Sequence, residues 1–208
     1  AGPRLSDEEL LAPPPAIRSE TVIPWASIGL VVVMGLIFAG EVMSGIGTAK
    51  SALDPTIQTL VAFGGSSRRY LVSDGEWHRL LSAALVHGSL SHVMFNCIAL
   101  ILAGRVLEGM VGRAWFGAIF VLGALGGSLM SALVNPAELI TVGSSGAIMG
   151  LFMAALVCSR RLPMARRVPV QRMLGQMIIP ALIPLVTPKD GDRKSTRLNS
   201  SHVSESRM

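Results

Sequence analysis

The sequence predicts an all-α fold, a polytopic membrane helix bundle, from three observations. Half of its 208 residues are hydrophobic, the mean hydropathy is +0.56, and 15% are charged; a soluble domain carries about a quarter charged residues. Apolar runs of near-spanning length recur along the chain, and about 20 apolar residues cross a bilayer as a helix. The 22 glycines and 11 methionines suit membrane helices that approach closely through small residues. The formal charge of +5 could point to nucleic acid. The basic residues, however, sit in loops and tails between apolar runs, which reports membrane topology and implies no nucleic-acid partner.

Residues 1–21 are acidic, contain Pro13-Pro14-Pro15 and lack an apolar core, so they read as a flexible cytoplasmic tail and not a secretory signal. The membrane domain is expected over residues 22–191. Its first span runs from Val22 to Gly40 without a charge. A mixed connection to about Trp77 holds a Gly/Ser/Arg cluster (Gly64 to Arg69) and the run Ile57–Phe63, too short to span and suited to short interfacial helices. The second span is Leu80 to Leu102. The third, Trp115 to Val134, offers Gly123, Gly126, Gly127 and Ser128 as a close-packing face. The fourth, Ser145 to Cys158, is short for a span and suits a buried central helix. The fifth, Met173 to Val186, should be bent or broken at Pro180 and Pro184. Cys97 and Cys158 lie in apolar stretches, form no metal motif and read as core packing.

Charge asymmetry orients this bundle. Arg160, Arg161, Arg166, Arg167 and Arg172 follow the fourth span, Arg105 and Arg113 lie between the second and third, and residues 135–141 carry no Lys or Arg. The arginine-bearing connections are therefore cytoplasmic, as is the N-terminus. The His87 end of the second span and the Ser145 end of the fourth then share the opposite leaflet.

Those two ends carry the chemistry. Polar side chains are expensive in hydrocarbon and usually mark function or glue helices together. His92 and Asn96 are four apart and share one helix face, with His87 near its mouth. An amide NH₂ and an imidazole N–H on one face can both point at a developing oxyanion. In Gly143-Ser144-Ser145-Gly146 the glycines allow a sharp backbone, and a serine at a helix N-terminus sits beside free backbone N–H groups. Alone this motif is weak, since Gly146-x₃-Gly150 could be a packing groove, and a serine hydroxyl needs a positioned base to act as a nucleophile.

In order along the chain stand Glu76-Trp77-His78-Arg79, His87-x₄-His92-x₃-Asn96, Gly104-x₃-Glu108-x₃-Gly112-Arg113, a glycine-rich third span and Val142-Gly143-Ser144-Ser145-Gly146-Ala147. With these motifs the sequence resembles the rhomboid family of intramembrane serine proteases over about residues 22–190. The resemblance implies a rhomboid-like bundle with five of its six core helices present. It implies Ser145 as nucleophile, His92, Asn96 and the Ser144/Ser145 backbone as the oxyanion site, and His87, Gly143 and Gly146 in support, with His87 structural or gating. No metal or organic cofactor is implied. The expected partners are transmembrane protein substrates and the lipid bilayer, in what reads as a bacterial plasma membrane.

Two departures stand out. His78 occupies the position of a second Trp, which touches a loop and not the chemistry. The histidine base that the family carries on a sixth helix has no counterpart, because His78, His87 and His92 precede the serine and His202 lies in the polar stretch Asp192–Met208. Asp192–His202 itself resembles a translated sequencing-library adapter, so residues 192–208 are expected to be non-native and the chain as written inactive. A non-catalytic rhomboid-fold protein that binds transmembrane clients is the alternative reading. A transporter or channel would show repeats or acidic residues in its spans, and none is found in the spans proposed above.

Overall fold

The fold is organised around a short apolar helix enclosed by longer ones. The computed structural model describes residues 23–44 and 53–186, with side chains to residue 179. The expected tails, 1–21 and 192–208, lie outside these residues. Within them run α1 (Trp25–Met43), α2 (Ile57–Ala62), α3 (Arg68–Val72), α4 (Arg79–Ser82), α5 (Leu90–Val111), α6 (Arg113–Val134), α7 (Ser145–Ser159) and α8 (Met164–Val186). The α1, α5 and α6 helices are long and apolar enough to cross a membrane. At 1.5 Å per residue they rise about 28 to 33 Å, the thickness of a hydrocarbon core. The 15-residue α7 is shorter and packs against α5, α6 and α8. It buries Ala147, Ile148, Leu151, Phe152 and Ala155, the i, i+1, i+4, i+5, i+8 stripe of one helix face.

Helices in lipid gain little from hydrophobic transfer, so close packing decides how they associate. A Cβ on Gly127 would stand 2.9 Å from Gly146 Cα, one on Gly123 2.9 Å from Ala147 Cα, and one on Gly150 3.4 Å from Gly123 Cα. Gly146 of the serine motif, with Gly150, is thus also part of a packing groove against α6. Gly126, expected on the same face, meets nothing within 4 Å. Gly127→Ala should therefore destabilise the protein by about 1–3 kcal/mol through overpacking, whereas Gly126→Ala should leave its unfolding midpoint unchanged or slightly higher. Parallel denaturation in one detergent checks the pair, and equal behaviour of the two variants would contradict this packing.

The first span ends later than expected. The helix runs to Met43, which brings Glu41 into a spanning helix and buries it. Its N-terminus, at Pro24, has no side-chain cap of its own. Glu108, on α5, supplies one, accepting from Ala26 N (3.0 Å), Ser27 N (2.8 Å) and Ser27 Oγ (2.7 Å). A carboxylate suits that end of a helix, where free N–H groups and the positive end of the dipole converge. Gly104, one turn before Glu108, lets α1 come this near, since a Cβ there would lie 1.9 Å from Ser27 Oγ. Gly112, at φ +80°, ends α5 and starts α6, a backbone that glycine adopts without strain. Each residue of Gly104-x₃-Glu108-x₃-Gly112 therefore has its own mechanical role. With Glu41 and Glu108 inside them, α1 and α5 each carry a buried acid that the shorter expected spans left out.

The expected second span, Leu80 to Leu102, is two elements. Chain from α4 leads through a non-helical stretch to α5, which starts at Leu90 because Ser89 caps it, its Oγ accepting from His92 N at 3.2 Å. His87 accordingly precedes the helix. The fifth span also starts earlier than Met173. Pro163 O accepts from both Arg166 N and Arg167 N at 2.9 Å, opening α8 at Met164, and the helix continues past Pro169, Pro180 and Pro184 without the expected break. Membrane helices tolerate such prolines where neighbouring groups satisfy the freed carbonyls.

The connection between α1 and α5 forms two short helices, α2 and α3, ahead of α4 and is held by Arg79. Its guanidinium donates to Val61 O (2.7 Å) and Gly65 O (2.8 Å), pairs with Glu76 and stacks 4.5 Å from the Tyr70 ring centre. This segment in turn grips the loop ahead of α7. Ser66 and Thr141 form an antiparallel bridge, with Ser66 N donating to Thr141 O (3.0 Å) and Thr141 N to Ser66 O (2.7 Å). Gly143 N donates to Ala83 O at 2.8 Å, so the strip carrying the serine motif is tied to the chain that leads into α5.

Candidate active site

Ser145 is the first residue of α7, and Ser144 is its N-cap residue. Gly143 precedes them at φ +108°, a left-handed conformation that L side chains rarely adopt. The position is closed to a side chain for a second reason. A Cβ on Gly143 would lie 2.6 Å from His92 Cε1, 2.7 Å from His92 Nε2 and 3.7 Å from Asn96 Nδ2. The imidazole and the amide thus stand together against the backbone two residues before Ser145. One turn of α5 separates them, which is how a four-residue spacing delivers two polar groups to one place.

Ser145 itself is exposed and lines a cavity of about 140 Å³ with Gly127, Ser128 and Ser131 of α6 and with Thr141, Val142 and Gly143. Gly143 lines this cavity and also abuts His92 and Asn96. Asn96 Nδ2 and Ser144 Oγ are buried without a hydrogen-bond partner among the described residues. Buried polar groups are ordinarily satisfied, so each unpaired one calls for a local reason. Among the described residues Ser145 Oγ makes no hydrogen bond to a histidine, and no three His, Cys, Asp or Glu side chains converge as a metal site would require. Cys97 and Cys158 are both free and half-buried.

His87 lies in the stretch ahead of α5 and is fully buried. Its Nδ1 lies 3.1 Å from Leu85 O, and its ring meets the His92 ring edge-on, 5.1 Å between centres and at 71°. Burial pushes its pKa down to about 4, helped by the neighbouring His92 and opposed by the Leu85 carbonyl, so the imidazole is neutral at physiological pH. Its backbone N–H faces the Glu41 carboxylate of α1, 3.3 and 3.4 Å from the two oxygens. Glu41 is the site neighbour that reading the sequence missed. The signal was a lone acid one residue past an apolar run, which one further helical turn brings inside.

All of this describes a polytopic helical membrane protein in which a serine opens a short central helix beside a histidine and an asparagine. A family model described as the Rhomboid domain matches residues 74–203, taking in both clusters. The chain is 44% identical to RHOMBOID-like protein 5 of Arabidopsis thaliana over 105 residues, 50% of this chain and 34% of that protein. It is 33% identical to Rhomboid protease GluP of Bacillus subtilis over 146 residues (70% and 27%). It is 30% identical to Rhomboid protease AarA of Providencia stuartii over 121 residues (51% and 43%). The chain spans between 27% and 43% of the length of these relatives. It belongs to the rhomboid family.

Proposed function

We propose that this protein is an intramembrane serine endopeptidase that cleaves peptide bonds in or near the transmembrane helices of other proteins. Ser145 Oγ attacks the scissile carbonyl carbon, and its proton passes to a general base. The tetrahedral oxyanion is held by His92, by Asn96 Nδ2 and by the Ser144 and Ser145 backbone N–H groups. Collapse of the intermediate breaks the C–N bond as the base returns the proton to the leaving amine, and water then hydrolyses the acyl-enzyme. One observation carries this reading: His92 and Asn96 converge on Gly143, two residues before a serine at a helix N-terminus. Unpaired Asn96 Nδ2 supports it, since a preorganised donor awaiting charge is what an oxyanion site needs.

The base in this reading is a histidine on a sixth helix, and the 208 residues alone turn over negligibly. The N-terminus faces the cytoplasm and the membrane is a bacterial plasma membrane. The orientation rests on the arginines of the 103–114 and 159–172 connections, and relatives named here come from a plant as well as from bacteria. Fluorophosphonate labelling tests the enzyme in a protein that carries the sixth helix. Labelling of the wild type and complete loss in Ser145→Ala is the expected result. A folded protein that takes no label would instead be a non-catalytic binder of transmembrane clients, the reading favoured by the lack of a histidine partner for Ser145 Oγ among the described residues.

A further inference from the structure

Glu41 has no place in the scheme above and sits where a carboxylate is least welcome. It is 2% exposed inside a spanning helix, a setting in which an acid is expensive and functional by default. It also lies in the last turn of α1, where the helix dipole repels negative charge. Glu108 differs on both counts, because it caps a helix N-terminus through three short hydrogen bonds. Among the described residues the Glu41 carboxylate meets one donor, His87 N, at nearly equal distances of 3.3 and 3.4 Å from its oxygens. Helix stability therefore does not account for it, and its hydrogen bond to His87 N leads toward the site.

From His87 the path is short. With Nδ1–H donating to Leu85 O the ring is pinned at one end, and its Nε2 is buried without a partner among the described residues. The ring edge rests against the imidazole of His92, which in turn abuts Gly143. We propose that Glu41 is a positioning residue: by holding the His87 backbone it fixes the His87 ring, and through that ring the orientation of His92 toward the serine strip. This makes the far end of the first spanning helix part of the oxyanion site's support. The functional meaning rests on the proposed role of His92, but the coupling itself does not.

The chain has four histidines, so histidine-selective isotope labelling gives an NMR spectrum that single substitutions can assign. The comparison uses the 208-residue chain in detergent micelles with Glu41→Gln, which keeps an acceptor at the same reach, and Glu41→Leu, which removes it. The leucine variant should shift the ring resonances of His87 and His92 and leave His78 in place; the glutamine variant should restore both. Should the leucine variant fail to fold, Glu41→Ser, polar but too short to reach the His87 N–H, makes the same comparison. A His87 shift with His92 unmoved overturns the proposal, as does a His92 shift that persists when His87 is replaced by leucine. The reactivity of Ser145 does not enter this readout. An unlabelled serine with coupled histidines thus refutes the protease alone, and uncoupled histidines refute the positioning role alone.

Discussion

Replacing Glu108 with alanine should lower the stability of the bundle by about 4 kcal/mol, because hydrogen bonds to a charged group contribute about 1.5–3 kcal/mol each and three donors lose their acceptor together. Those donors, Ala26 N, Ser27 N and Ser27 Oγ, are at the start of α1, where no other side chain among the described residues caps the helix. Gly104 has already brought Ser27 too near for water to enter without moving the helices apart. Glu108→Gln keeps one acceptor oxygen and should lose about half as much. Unfolding in a mild detergent, followed by circular dichroism, gives the comparison. An alanine variant within about 1 kcal/mol of wild type, the scale of an ordinary surface change, would show that α1 is held by its packing alone.

Short of removing Ser145 itself, a single methyl group should cost the most reactivity. Gly143→Ala places a Cβ 2.6 Å from His92 Cε1 and 2.7 Å from Nε2, so either the imidazole or the strip ahead of α7 has to move. The φ of +108° adds backbone strain, worth about 1 kcal/mol in stability. Loss of reactivity should be much greater, about 100-fold or more in the rate of fluorophosphonate labelling, since a small misplacement or one lost oxyanion donor costs that much. The measurement needs a protein that carries the proposed sixth helix, and a check that the variant unfolds near the wild-type midpoint. Near-wild-type labelling would mean that His92 does not support chemistry at Ser145.

The parts of this site that are local in sequence could be read from it. His92 and Asn96 share a face because four residues is about one helical turn, and Ser145 opens a helix because two glycines flank the serine pair. What escaped needed contacts between distant segments. Glu108 caps a helix about 80 residues away, and Arg79 holds carbonyls 14 and 18 residues before it, partners that no local pattern announces. The boundary errors have local causes that were present but outweighed. An apolar run drew the second span back to Leu80, although Ser89 with His92 three residues on is a capping arrangement. In sequence the start of α8 reads as a loop because arginines crowd it, although Pro163 stands one residue ahead of the helix, where a missing N–H does no harm. Glu41 was excluded by three residues of helix.

The central claim is that His92, Asn96 and the start of α7 form one site built around Ser145. The most direct test is a structure of the sixth-helix-bearing protein after reaction with a fluorophosphonate, whose tetrahedral phosphorus mimics the intermediate. The expected adduct has a bond to Ser145 Oγ and a phosphonyl oxygen about 2.7–3.1 Å from Asn96 Nδ2 and from a His92 ring nitrogen. An adduct on another residue, or an oxygen turned away from both side chains, would contradict it.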